Sequence, residues 1–502
     1  MTVDELNTAL LVGAAVLVVA IVAVRFSVGT GLPSLLLYLA LGVLLGESVV
    51  GIRFENFGLT TALGYAALVV ILAEGGLTTR WSTIRRSVVP AGVLATVGTS
   101  VSVGVVAVAA HWLLDVGWLS AVLLGAILSS TDAAAVFSVL RRVPLPRRLT
   151  GLLEAESGFN DAPVVILVVA ISAAIGTGEL HDPLALAGEA VRELAGGAVV
   201  GVGLGWLGAR LLSSVALPSS GLYPIAVMAL CTLAYGSAAA LHLSGFLAVY
   251  LAGLVLGNAD LPHRQTVRGF AEGLGWLAQI GLFVLLGLLV SPSRLGVQLV
   301  PALAIGAVLL LVARPLSVLA SVSWFGFRWR DQVFLSWAGL RGAVPVVLAT
   351  IPVAAGAGDP GLFELVFVLV VVFTVLQAPT LPTVARALRL RGDEPVDLEV
   401  ESSPLGALGA QVLQVSVGPT SRLHGVRLAE LRLPPDANVT LVVRDGHGTV
   451  PDANTVLRHG DELLVVVTSA ARLATERRIR AVSSQGRLAE WRAGGVPRVT
   501  GR

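Results

Sequence analysis

Long apolar runs separated by short polar stretches fill the first three quarters of the chain. A helix needs about 20 apolar residues to cross the hydrocarbon core. Breaks at charged residues, Pro and Gly divide residues 1–390 into thirteen such runs, near 8–25, 32–50, 61–78, 88–113, 118–140, 155–176, 194–213, 221–241, 243–258, 270–290, 297–323, 332–356 and 362–386. Short cytoplasmic loops hold the excess of positive charge, which tests the division independently. Loops after odd-numbered runs hold thirteen arginines: Arg25, Arg80, Arg85, Arg86, Arg141, Arg142, Arg147, Arg148, Arg210, Arg264, Arg268, Arg328 and Arg330. Loops after even-numbered runs hold three, Arg53, Arg192 and Arg294. A wrong count would scramble the alternation from the error onward. The pattern predicts an all-α polytopic membrane protein with thirteen transmembrane helices, its N-terminus outside and its C-terminus cytoplasmic. The acidic opening MTVDEL lacks the positive charge of a signal peptide, so the first run is expected to remain as a span.

Two runs are interrupted in the same way. GAILSSTDAAAVFSVL in the fifth and WAGLRGAVPVVLATIPV in the twelfth each carry a charge, small residues and hydroxyls inside apolar sequence. They lie seven runs apart and so cross in opposite directions. That is the arrangement of inverted repeats with two broken helices meeting near mid-membrane, where freed carbonyls and half-helix ends bind ions.

Charges inside the runs mark function by default. Asp132 lies about fifteen residues into its run, too deep for a short side chain to reach water. In ESGFNDAPV, Glu156, Ser157, Asn160 and Asp161 fall within roughly 8 Å of helical rise. Two carboxylates on neighbouring spans, with hydroxyl and amide oxygens, form a hard-oxygen site suited to an alkali cation and poor for a transition metal. Burial favours the protonated carboxyl and a bound cation the ionised one, so proton and cation compete for the same oxygens. That competition is an exchange mechanism. Arg341 cannot lose its proton and needs a buried partner, for which Glu156 is the expected choice, as a structural ion pair. Arg314, before Pro315, either snorkels to the cytoplasmic surface or faces the interior. Glu74 serves either as an accessory site group or as an interfacial residue, Glu154 is expected at the membrane surface beside Arg147 and Arg148, and Glu272 reads as interfacial.

The composition agrees: 55% hydrophobic, 13% charged, with a mean hydropathy of +0.85, outside the soluble range. A net charge of +2 points to no nucleic-acid partner, and the single Cys231 excludes an internal disulfide. No HExxH, G-x-S-x-G or Walker sequence indicates an enzyme. GVGLGWLG at 201–208 fits a dinucleotide pattern but lies inside a span, where Gly197, Gly201 and Gly205 instead permit close helix packing. After Arg391 the chain turns polar. Residues 391–409 read as a linker and 410–482 as a small α/β domain, with strands at QVLQVSV, NVTLVV and GDELLVVV, short helix HGVRLAELRL and closing helix ARLATERRIRAV; 483–502 read as a loose tail. So small a core favours dimerisation.

STDAAAV, ESGFNDAPV and GLRGAVPVVLA, in this order, resemble the first monovalent cation:proton antiporter family of the NhaP type, and EGGLTTRW and EGLGWLAQIGLFVLLGLLV are similar to stretches of its potassium-exporting subgroup. The resemblance covers residues 1–390. SRLHGVRLAELRLPPDANVTLVVRDGHGTVPDANTVLRHGDELLVVV is similar to the TrkA C-terminal, RCK C-lobe, regulatory domain. The resemblance implies a bacterial inner-membrane homodimer, in which a six-helix core moves against a dimerisation domain. It implies exchange of cytoplasmic K⁺, with Na⁺ as the alternative, for protons, with no cofactor. Thr131, Asp132, Ser157 and Asp161 would contact the ion, Asn160 would orient the site and Glu156 would pair with Arg341. A nucleotide or cyclic dinucleotide is the ligand class implied for the tail. A tail-gated cation channel is the competing reading; the missing selectivity-filter sequence and the opposed broken spans weigh against it.

Overall fold

The computed structural model describes residues 3–30, 33–46, 54–132, 136, 145–178, 182–390, 400–405 and 410–489. It separates into two compact units, Met1–Arg391 and Gly392–Arg502.

The first unit is helical. Among the described residues, eight helices are long and apolar enough to cross a membrane: α3 (Phe57–Thr78), α4 (Val88–Leu114), α6 (Arg147–Thr177), α7 (Leu184–Ser214), α8 (Leu222–Ala240), α10 (Arg264–Leu288), α11 (Pro292–Phe325) and α14 (Pro360–Ala387). Shorter apolar helices fall on the other expected runs: Leu10–Arg25 within α1 (Val3–Thr30), α2 (Ser34–Leu45), α5 (Trp118–Ser129), α9 (Gly245–Asn258) and α13 (Ala343–Ala354). A further helix, α12 (Trp329–Trp337), precedes α13. At 12 residues each, α5 and α13 reach about 18 Å, short of the roughly 30 Å hydrocarbon thickness. Large apolar side chains such as Leu11, Trp112, Val199 and Val300 face outward, as a lipid-facing surface requires.

Small residues set the closest helix approaches. A side chain at Gly197 or Gly201 would collide with the backbone of Ser244 or Ala248, and one at Gly205 would crowd Ala252, so this stripe is what seats α7 on α9. Gly42 and Gly287 do the same between α2 and α10.

The second unit holds a five-stranded antiparallel sheet in the order β1-β2-β5-β3-β4, from β1 (Val400–Leu405), β2 (Ala410–Ser416), β3 (Ala437–Arg444), β4 (His447–Thr449) and β5 (Glu462–Thr468). Alternate residues of β5, Leu463, Val465 and Val467, are fully buried, and α15 (Arg472–Gln485) adds Ile479 and Val482 to the same core. Three readings of the tail are corrected. The expected linker contains β1, an edge strand whose polar sequence with Pro404 conceals its pairing to β2. The expected helix over HGVRLAELRL is one turn, Leu428–Leu431. RDGHG turns a hairpin into β4. Residues 483–489, read as the start of a loose tail, are packed: buried Ser483 bonds Ser421 at 2.7 Å and Ala489 is buried. Residues 391–399, 406–409 and 490–502 lie outside the described residues, as do Arg53, Arg141, Arg142 and most of the fifth run beyond Asp132.

Candidate ion-exchange site

Two of the non-helical stretches among the described residues of the first unit meet each other. After α5 ends at Ser129, Ser130 is extended (φ −64°, ψ 142°). Between α12 and α13, residues 338–342 are non-helical. The two interruptions bond to each other, the Asp132 amide donating to the Leu340 carbonyl at 2.9 Å. Helix ends buried in apolar surroundings need partners for their freed carbonyls, and α14 supplies them. Gln377 donates through Nε2 to the Trp337 carbonyl and Thr374 through Oγ1 to the Arg341 carbonyl, both at 3.2 Å.

Side chains of α6 meet this crossing. The Ser130 hydroxyl donates to Asp161 Oδ1 at 2.6 Å. Asn160 donates through Nδ2 to Thr131 Oγ1 at 2.7 Å, and the Thr131 hydroxyl donates to Glu156 Oε1 at 3.3 Å. Asn160 Oδ1 is buried with no hydrogen-bond partner among the described residues, leaving one acceptor uncommitted. The Asp132 carboxylate lies over Gly342, where a Cβ would collide with it. Glycine at the head of α13 thus lets a carboxylate sit at a half-helix N-terminus, where the helix dipole favours negative charge. Thr131, Asp132, Ser157 and Asp161 line one cavity of about 340 Å³, together with Glu74, Thr78, Thr79, Glu154, Tyr250 and Gln279.

The expected Glu156–Arg341 pair is corrected. Arg314 holds Glu156 in a bidentate ion pair, Nη1 to Oε1 at 2.6 Å and Nη2 to Oε2 at 2.9 Å. The reason is local to α11. A π-turn at Leu309–Ala313 immediately precedes Arg314, and its extra residue rotates everything downstream by about 100° from the position a regular helix would give. Gly339 then leaves room for the guanidinium, since a Cβ there would meet Arg314 Nε. Arg341 is itself buried and donates to the Gly339 carbonyl at 3.3 Å, close enough to Arg314 and Glu156 to act on both through space. Two guanidinium groups therefore share one carboxylate.

Several of these residues escaped the sequence reading. Ser130 could have been found as the hydroxyl directly before Thr131. Glu154, expected at the surface, lines the cavity because it stands one turn before Gly158 on the face of α6 that carries Asp161. Tyr250 gives no signal inside an apolar run.

Known proteins match this chain over both units. The family model described as sodium/hydrogen exchanger, transmembrane, matches residues 13–387, and the TrkA-C domain model matches residues 412–480. The chain is 38% identical over 475 residues to the K⁺/H⁺ antiporter NhaP of Alkalimonas amylolytica, covering 93% of this chain and 82% of that one. It is 36% identical over 480 residues to the K⁺/H⁺ antiporter NhaP2 of Shewanella oneidensis, with the same two coverages. In fold it is similar to the sodium proton antiporter MjNhaP1 of Methanocaldococcus jannaschii at pH 8, with a TM-score of 0.67 and 23% identity over 76% of this chain and 99% of that one. Opposed interruptions, carboxylates around one cavity and a match spanning the whole helical unit lead to one conclusion: the chain belongs to the sodium/hydrogen exchanger family, as a multi-pass membrane transporter carrying a TrkA-C domain.

Proposed function

We propose that the protein exchanges a cytoplasmic monovalent cation, K⁺ in preference to Na⁺, for protons, one for one, at Asp132 and Asp161. The observation that carries this reading is the cavity on which both carboxylates, Thr131 and Ser157 converge beside unwound backbone. Hard oxygens of this kind suit an alkali cation, and their protonation ejects it. The preference for K⁺ is supported by the relatives named K⁺/H⁺ antiporters.

Charge counting supports the stoichiometry. At the crossing itself, leaving aside Glu74 and Glu154 farther along the cavity, three carboxylates, Glu156, Asp132 and Asp161, stand against two guanidinium groups, Arg314 and Arg341, when all are ionised. One negative charge is left, which one cation or one proton neutralises.

The same reading takes the protein as a bacterial inner-membrane homodimer crossing thirteen times, the N-terminus outside, with the TrkA-C unit as a cytoplasmic regulator. The test is proton flux in everted vesicles on adding K⁺ and then Na⁺, repeated under an imposed membrane potential. Saturable flux, larger with K⁺ and insensitive to potential, is expected. Flux rising steeply with potential would overturn the one-for-one count, and large unitary conductance would replace exchange with a channel.

A further inference from the structure

Glu154, Gly158 and Asp161 recur on α6 at intervals of four and three, on one helical face, and all three line the same cavity. Seven residues of helix put Glu154 about 10 Å from Asp161 along the axis, toward the end of α6 that begins at Arg147. A Cβ at Gly158 would collide with the ring of Tyr250, so the absence of a side chain there is what admits the phenol. Tyr250 is 2% exposed and lines the cavity with Glu154, with Glu74 of α3 and with Thr79 just past the end of α3. Its hydroxyl has no hydrogen-bond partner among the described residues. Thr79 and Glu154 are both near enough to act on it electrostatically.

A buried polar group without a partner is costly, and native proteins keep such groups where water or a ligand completes them. No ion pair or side-chain hydrogen bond reaches the carboxylate of Glu154 or Glu74 among the described residues; Arg80 and Glu272 act on them only at longer range. A carboxylate, that of Glu154, a phenol and a threonine hydroxyl thus stand near one another on the cavity wall with oxygen valence to spare. Oxygens alone, with little fixed charge and no soft ligand, match a partly hydrated alkali cation.

We propose that Glu154 and Tyr250, with Thr79, form a second station for the transported cation, between Asp132/Asp161 and the face that carries Arg80 and Arg147. The inference rests on the antiporter reading. The station holds the ion while part of its water is removed, before it reaches the exchanging carboxylates, and so sets the apparent affinity on that face alone.

Proton flux driven by K⁺ is measured in everted and in right-side-out vesicles for the wild type, Glu154→Gln, Glu154→Asp and Tyr250→Phe. No flux in the wild type would overturn the antiporter reading and this inference with it. With wild-type exchange present, Glu154→Gln and Tyr250→Phe are each expected to raise half-saturating K⁺ about three- to tenfold from the Arg80 face, the size of one lost oxygen contact. From the opposite face the shift stays under about twofold, and Glu154→Asp recovers part of the loss. Unchanged half-saturation from the Arg80 face in both variants, or an equal rise from both faces, would overturn the proposal. Tyr250→Phe keeps the ring seated on Gly158 and decides the matter if Glu154→Gln fails to assemble.

Discussion

Each unit of this protein buries a bidentate arginine–carboxylate pair, and the two pairs are held differently. In the helical unit the Arg314 and Glu156 side chains are 6% and 3% exposed, surrounded by apolar helices, with the Thr131 hydroxyl on the carboxylate and a second guanidinium alongside. In the tail Asp461 is fully buried, but its partner Arg444 remains 33% exposed. Asp461 is also held by the Arg458 amide at 2.7 Å. Water can take over the guanidinium of the tail pair when the carboxylate is lost. The Arg314–Glu156 pair has no such exposure to water, so the same chemistry is structural in one place and adjustable in the other.

The largest effect is expected from Arg314→Ala. It leaves a buried carboxylate without its bidentate partner, at a cost of roughly 3–5 kcal/mol, and should abolish assembly as judged by the yield of monodisperse protein from membranes. Arg341→Ala should be milder, because Glu156 keeps Arg314; the protein should assemble while the charge count shifts to two uncompensated negatives. Exchange in Arg341→Ala should then respond to membrane potential, measured as in the wild type. Assembly lost in Arg341→Ala but retained in Arg314→Ala would reverse the two assignments.

In the tail, Asp461→Asn should cost roughly 1–3 kcal/mol, read as faster hydrogen exchange of β5 amides in the full-length protein, with insertion unaffected. The smallest effect is that of pH on the same strand. Burial alone would raise the Asp461 carboxyl, but the Arg444 ion pair, the Arg458 amide and both positive charges outweigh it and hold the group below its ordinary value of 3.8. A depressed folded-state value stabilises above the unfolded one, and this contribution is lost as pH falls through the folded value. Protection of β5 should therefore be steady at neutral pH and decline below about pH 4, and Asp461→Asn should show less of this decline.

What could be read from the chain divides along physical lines. The convergence of Asp132 and Asp161 on one interior cavity was legible because a carboxylate deep in an apolar run must face protein or water rather than lipid. The stripe of Gly197, Gly201 and Gly205 was legible because small residues at helical spacing have one principal use in a membrane. The partner of Glu156 was not. Sequence gives the depth of Arg314 and Arg341 but not their azimuth, and a single π-turn in α11 rotates Arg314 inward. Tyr250 and Ser130 were hidden for a different reason: a phenol or a hydroxyl in a helix acquires meaning only from what another helix places opposite it. The edge strand β1 was hidden by polar composition, since its pairing lies in the backbone.

The account's central claim is that Asp161, aligned by Ser130 across from Asp132, is the carboxylate over which cation and proton compete. It is tested most directly by K⁺-driven proton flux in liposomes reconstituted with Asp161→Asn beside the wild type, after both are shown to be assembled to the same extent. The account predicts saturable flux in the wild type, with half-saturating K⁺ rising as pH falls because protons occupy the same oxygens, and no flux in Asp161→Asn. Exchange by Asp161→Asn at a rate near that of the wild type would contradict it.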